Sequence, residues 1–146
     1  MAETDSSPGV HRTLAIAVDV VLLTIQGGTL KLLLVKRQRP PFRGAWALPG
    51  GIVGREESVD AAALRALQEE TQVGNIYLEQ LYTFGEPTRD PRGRIITVAY
   101  YALVNGQQCQ LHTQAPRGQA TWCAVKRLPA LAFDHRRIVD YAVERL

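Results

Sequence analysis

Apolar residues fall along this chain in runs of two kinds. Leu14 to Ile25 is rich in valine, isoleucine and leucine, and Leu30 to Val35 repeats that character after Gln26-Gly27-Gly28, which predicts two strands joined by a tight hairpin. Ile76 to Phe84 and Thr121 to Val125 predict shorter strands. Ile95 to Val104, the most apolar of the later stretches, predicts a central strand closed by an Asn105-Gly106 turn. Over 58–71 the pattern changes to helical spacing. Ser58 suits the N-cap, Asp60 the positive end of the dipole, and Ala61 to Gln68 are mostly strong helix formers. Ala63, Leu64 and Leu67 are expected to form the stripe that packs on a sheet, with Glu69 and Glu70 projecting beside Ala66 on another side. A last helix is expected after Asp134, capped by it, with Ile138, Tyr141, Ala142 and Val143 on its inner face. Strands dominate, with one central and one terminal helix, an α/β pattern.

Composition narrows this picture. A chain of 146 residues, 46% hydrophobic and 21% charged, suits one domain with a real core. We expect a flexible tail at 1–10 and a single domain at 11–146. The polar start lacks the charged and apolar regions of a signal peptide, and no stretch is long enough to span a membrane, so the expectation is a cytoplasmic protein without membrane contact. The formal charge of +3, with a pI near 9.1, comes mostly from arginine, which suits bidentate contacts to phosphate. No basic run is dense enough to argue for nucleic acid. Cys109 and Cys123 lack metal-ligand spacing and read as reduced thiols, while His11, His112 and His135 are scattered. His135 reads as structural.

The chemistry concentrates at 50–74. Gly51, five residues, Glu57, seven residues, Arg65, one residue, then Leu67, one spacer, Glu69-Glu70 and Val73 form a spaced constellation behind Pro49-Gly50. An adjacent pair of glutamates alone is ordinarily a solvated helix face. The whole pattern, over residues 51–73, resembles the Nudix box, G-x5-E-x7-R-E-U-x-E-E-x-G-U with U aliphatic. Two positions depart from it. Ala66 stands where the family has a glutamate, and Gln72 where it has a glycine, a loss that Gly74 is expected to offset by helping to end the helix.

The resemblance implies a Nudix-type α/β/α sandwich with a mixed β-sheet, covering Leu14 to Leu146. It implies Mg²⁺ or Mn²⁺ as cofactor, held by Glu69, Glu70 and a carbonyl at Gly51, because a hard cation takes a few carboxylates together with water and substrate phosphates. Glu57, Arg65, Glu69 and Glu70 are the implied catalytic residues, with Arg65 orienting the glutamates and Glu57 supporting the cluster. Without a glutamate at Ala66, metal binding and turnover are expected to be weakened unless another acid substitutes.

A second, narrower likeness extends from Leu81 to Pro87 and from Arg89 to Arg94. It is similar to Nudix proteins that handle ADP-ribose and to the Nudix-related regulators of NAD metabolism that sense it. Arg89, Arg92 and Arg94 are candidates to grip a diphosphate, with Arg43 and Phe42 in the loop before the box as further substrate contacts. Glu86 and Asp90 are candidates for the compensating acid. Trp46 reads as a core residue beneath that loop. The implied function is pyrophosphohydrolysis of a nucleoside diphosphate linked to another group, with ADP-ribose cleaved to AMP and ribose 5-phosphate as the best match. The alternative is a sensor domain that binds such a nucleotide without cleaving it, and Ala66 favours it. A third reading, a bare interaction surface, leaves Glu57, Arg65, Glu69 and Glu70 unexplained. Family habit suggests a homodimer, and DNA binding by this chain alone is not expected.

Overall fold

A computed structural model of the chain describes residues 13–106 and 119–146. The expected tail at 1–10, His11, Cys109 and His112 lie outside the described residues. The central element is β1 (Ala15–Gln26), whose side chains alternate between two cores. Val18, Val20 and Leu22 belong to one core, Val21 and Leu23 to the other. This double burial explains why the strand reads as an apolar run rather than as an alternation.

Around β1 the described residues form a seven-stranded sheet. β2 (Thr29–Lys36) returns antiparallel through the Gly27-Gly28 turn, in which both glycines have positive φ. The short strands β3 (Trp46–Ala47) and β4 (Gly50–Ile52) pair with β2 and β1 respectively. β5 (Glu79–Phe84) pairs with β6 (Ile95–Val104), and β6 runs parallel to β1 along ten residues, from Ala15 opposite Ile95 to Thr24 opposite Val104. β7 (Ala120–Ala124) covers the other edge of β2 and is followed by a 3-10 turn at Val125–Arg127. One parallel pair among antiparallel ones makes the sheet mixed. Helices α1 (Val59–Thr71) and α2 (His135–Arg145) pack on opposite faces, which is the expected α/β/α sandwich.

Several local readings change in detail. Ile76 to Leu78 stay outside the strand, which begins at Glu79. On α1 the buried residues are Ala62, Ala63, Ala66, Leu67 and Thr71, whereas Leu64 is exposed. The buried stripe follows the i, i+4 pairs Ala62–Ala66 and Ala63–Leu67, so Ala66 belongs to the core while still lying one turn before Glu70. Ser58 caps α1 as expected, its Oγ accepting from the Ala61 N–H at 3.0 Å. Gln72, with φ of 63°, ends the helix itself in the left-handed conformation that a glycine takes most easily, and Gly74 has no such role. Asp134 sits at the N-cap of α2 and accepts there through its backbone carbonyl, but its side chain makes no cap bond, because the carboxylate binds Arg89. The inner face of α2 is centred on Ile138, Val139 and Ala142. No helix among the described residues is long and apolar enough to cross a membrane.

Candidate active site

The box begins where β4 leaves the sheet and ends on α1, and Arg65 ties the two ends together. Its Nε and Nη2 donate to Glu57 at 2.6–3.2 Å, its Nη1 to Glu69 at 3.2 Å, and its Nη2 to the Ile52 carbonyl at 3.1 Å. The Gly54 N–H also donates to Glu57 at 2.9 Å. The hydrogen bonds from Arg65 and then from Gly54 hold the Glu57 carboxyl below its ordinary range, and Glu57 in turn raises Arg65. Glu70 points the other way. Its Oε1 accepts from the Gly50 N–H at 2.8 Å, which links the end of the helix to the start of β4.

Gly50 lies in a slot without room for a side chain. A Cβ there would stand 2.3 Å from the Val18 carbonyl oxygen and 2.5 Å from Asp19 Oδ1. Asp19 itself is buried on β1, opposite Gly50 in the register. Its Oδ2 accepts from Thr97 Oγ1 at 2.6 Å, and its Oδ1 lies 3.2 Å from His135 Nε2. Arg89, also buried, makes a bidentate pair with Asp134 at 2.8 and 3.0 Å and lies 3.8 Å from Asp19. No buried side-chain nitrogen or oxygen among the described residues lacks a hydrogen-bond partner, as so many buried charges require.

Beside this slot is a cavity of about 140 Å³ that brings Glu70 and the Gly50–Gly51 pair of β4 together with Arg37, Arg92 and Phe133. The guanidinium carbons of Arg37 and Arg92 lie 4.8 and 5.3 Å from the Phe133 ring centroid, and Phe42 meets that ring edge-on at 4.9 Å. Burial and then the nearby Arg92 charge push the Arg37 guanidinium below its usual value, against the opposing influence of Asp90, Glu70 and Asp19. Burial works to raise Asp90, but hydrogen bonds from the Arg92 side chain and backbone, at 2.7–3.0 Å, hold it below the ordinary carboxylate range. Phe42 and Phe133 have φ of 62° and 53°, conformations that aromatic residues rarely adopt and that concentrate at ligand sites. A larger groove, of about 1010 Å³, lies by Gln72–Tyr77 and Tyr101–Asn105. None of Glu57, Arg65, Glu69 or Glu70 lines it.

Among the described residues no three Asp, Glu, His or Cys side chains converge as a metal cluster. The donors that the box offers, Glu69, Glu70 and the Gly51 carbonyl of β4, are all hard oxygens. They fit a Mg²⁺ or Mn²⁺ ion that keeps much of its water and takes further ligands from phosphate, rather than one caged by protein.

The sequence-derived candidates therefore separate. Gly51, Glu70, Arg89, Asp90 and Arg92 line the cavity, and Glu57, Arg65 and Glu69 form the adjoining network. Phe42 reaches the site through Phe133. Arg43 is exposed, Arg94 donates to the Gly85 carbonyl at 2.7 Å, and Glu86 is an exposed carboxylate 3.9 Å from Arg137, all three outside the cavity lining. The guanidinium of Arg89 is engaged with Asp134 and the Ile95 carbonyl. Asp90 is engaged with Arg92. Sequence reasoning missed Asp19, Arg37 and Phe133 and gave His135 no partner. Asp19 had a signal: a lone carboxylate inside the apolar run Ala15 to Leu23 needs partners.

The NUDIX domain family model matches residues 13–142. The chain is 37% identical over 133 residues to the ADPR responsive transcriptional repressor NtrR of Acinetobacter baylyi, covering 88% of this chain and 53% of the repressor. It is 38% identical over 112 residues to the ADP-ribose pyrophosphatase of Methanocaldococcus jannaschii, covering 76% of this chain and 65% of that protein. The chain thus spans between about half and two-thirds of the length of these relatives. Among solved structures, the NUDIX domain of Shewanella oneidensis NrtR complexed with ADP ribose superposes with a TM-score of 0.82 at 40% identity, over 95% of this chain and 92% of that domain.

Proposed function

The chain belongs to the Nudix family, and on that footing we propose that it binds a nucleoside diphosphate linked to another group, ADP-ribose being the best candidate, and hydrolyses it slowly to AMP and ribose 5-phosphate. The observation that carries this reading is the cavity in which Arg37 and Arg92, both over Phe133, meet Glu70 and the Gly50–Gly51 pair of β4. Two guanidiniums held together in a partly buried site repel each other, and a bound diphosphate relieves that repulsion through charge-assisted hydrogen bonds. At about 140 Å³ the cavity suits the phosphates rather than the whole ligand, so the remainder lies outward, by Phe42.

Glu69 and Glu70 are the residues that would hold Mg²⁺ or Mn²⁺, and the ion when bound supplies charge neutralisation at the phosphates and activation of water. Arg65 orients Glu69 and fixes Glu57, while the Gly50 N–H fixes Glu70. The arginines orient the diphosphate so that one phosphorus faces the box. Support from relatives is twofold: one is named an ADP-ribose pyrophosphatase, and one solved neighbour is complexed with ADP ribose.

A second reading, an ADP-ribose sensor without useful turnover, is favoured by one observation, the burial of Ala66 where the family pattern has a glutamate. Product analysis after incubation with ADP-ribose and Mg²⁺ or Mn²⁺ separates the two. The hydrolase reading expects AMP from the parent chain and a loss on the order of 100-fold in Glu70→Gln. Saturable binding without AMP would transfer the conclusion to the sensor, and absence of both would reject ADP-ribose.

A further inference from the structure

His135 stands at the other end of the segment that holds Glu70. The three residues Leu48, Pro49 and Gly50 are each tied to a different element. The Leu48 N–H donates to His135 Nδ1 at 3.0 Å, the Pro49 carbonyl accepts from the Val20 N–H of β1 at 2.8 Å, and the Gly50 N–H donates to Glu70 of α1 at 2.8 Å. Because Nδ1 accepts, the imidazole proton belongs on Nε2, which faces Asp19 Oδ1 at 3.2 Å. Asp19 Oδ1 is also the atom that a side chain on Gly50 would strike. His135 therefore controls Gly50 from two directions, through the chain that precedes it and through the wall beside it. The residue is 4% exposed and borders the cavity, but both ring nitrogens are already engaged, by the Leu48 N–H and by Asp19, so its task is to hold these groups rather than a ligand.

We propose that His135 is a positioning residue for the box: it fixes the Leu48–Gly50 segment and Asp19 so that the Gly50 N–H is aimed at Glu70, and Glu70 at the ligand. Its functional consequence rests on the nucleoside diphosphate reading above. An imidazole suits the position because it is rigid and carries one acceptor and one donor on opposite sides, so it can hold a backbone N–H and a carboxylate at once. Phenylalanine keeps the bulk and loses both bonds. Asparagine restores an acceptor for the Leu48 N–H without reproducing the ring.

The test compares the parent chain with His135→Phe and His135→Asn. The first readout is hydrogen exchange at the Gly50 amide, with the Leu67 amide of α1 as internal control. His135→Phe is expected to lower Gly50 protection tenfold or more while Leu67 keeps its own, and His135→Asn to recover most of the difference. Unchanged Gly50 protection in His135→Phe, or an equal fall at Gly50 and Leu67, overturns the proposal, the latter because it marks a residue that serves only global stability. Should the phenylalanine variant fail to fold, equal fractional losses of protection at Gly50 and Leu67 in His135→Asn, each measured against the parent chain, overturn it as well. The second readout, on the same samples, is ADP-ribose affinity with Mn²⁺. A parent chain that binds no ADP-ribose rejects the ligand reading and leaves the positioning of Gly50 decided by exchange.

Discussion

On the hydrolase reading proposed above, Ala66 limits how much chemistry the box can support. It is 2% exposed and packs with Leu67 against β1, one helical turn before Glu70. A glutamate there would share the side of α1 from which Glu70 reaches Gly50, adding a carboxylate to a site that offers two. Ala66→Glu is therefore expected to raise Mn²⁺-dependent AMP release about tenfold, at a stability cost of about 1–3 kcal/mol from crowding the core. Initial rates and a thermal melt on the same preparation check both parts. A folded variant with an unchanged rate would show that Ala66 does not limit hydrolysis. The spacing from Gly51 to Val73 made the departure at Ala66 readable in the sequence, but its burial was not. Amphipathic periodicity placed Leu64 inside and left Ala66 outside, because it ranks leucine above alanine, whereas the close approach of helix to sheet admits Ala62, Ala63 and Ala66.

Helix α1 is joined to the loop before it by Glu57, whose carboxyl accepts from Arg65 and Gly54. This arrangement carries a pH signature. The folded pKa of Glu57 is depressed, so the stability from these bonds is present above the ordinary glutamate value near 4.3 and is lost as pH falls through the depressed value. Glu57→Gln should accordingly melt below the parent at neutral pH, with the gap closing as pH drops under about 4. Parallel melting curves across pH 7 to 2.5 measure it, and a gap that stays constant would mean that charge at Glu57 contributes nothing. Legibility at this scale follows the range of the cause. The Ser58 cap, the Gly27-Gly28 hairpin and the span of β6 rest on local chemistry and were all readable. The pairings of Arg89 with Asp134 and of Arg37 with Phe133 join residues 45 and 96 positions apart, and no local pattern announces them.

Across the whole molecule the two helical layers meet the sheet through different physics. α1 is held by apolar contacts, from Ala62, Ala63, Ala66 and Leu67 to β1. The start of α2 is held by charge as well. Arg89, 3% exposed at its side chain, bonds to Asp134 before α2, lies 3.8 Å from Asp19 on β1 and donates to the Ile95 carbonyl of β6 at 3.2 Å. One guanidinium thus joins a loop, two strands and a helix entrance beneath the cleft. Replacing it by an apolar side chain leaves Asp19 and Asp134 without their cation, and removal of one partner from a buried pair costs about 3–5 kcal/mol. At about 3 °C per kcal/mol for a chain of this size, Arg89→Met is expected to lower Tm by roughly 10–15 °C. Adding Asp134→Asn to Arg89→Met removes one of the stranded charges, so the double variant should melt above the single one. That order distinguishes a charge clamp from simple loss of packing: if Arg89 served only to fill space, the second substitution would leave Tm where the first had put it or lower it further.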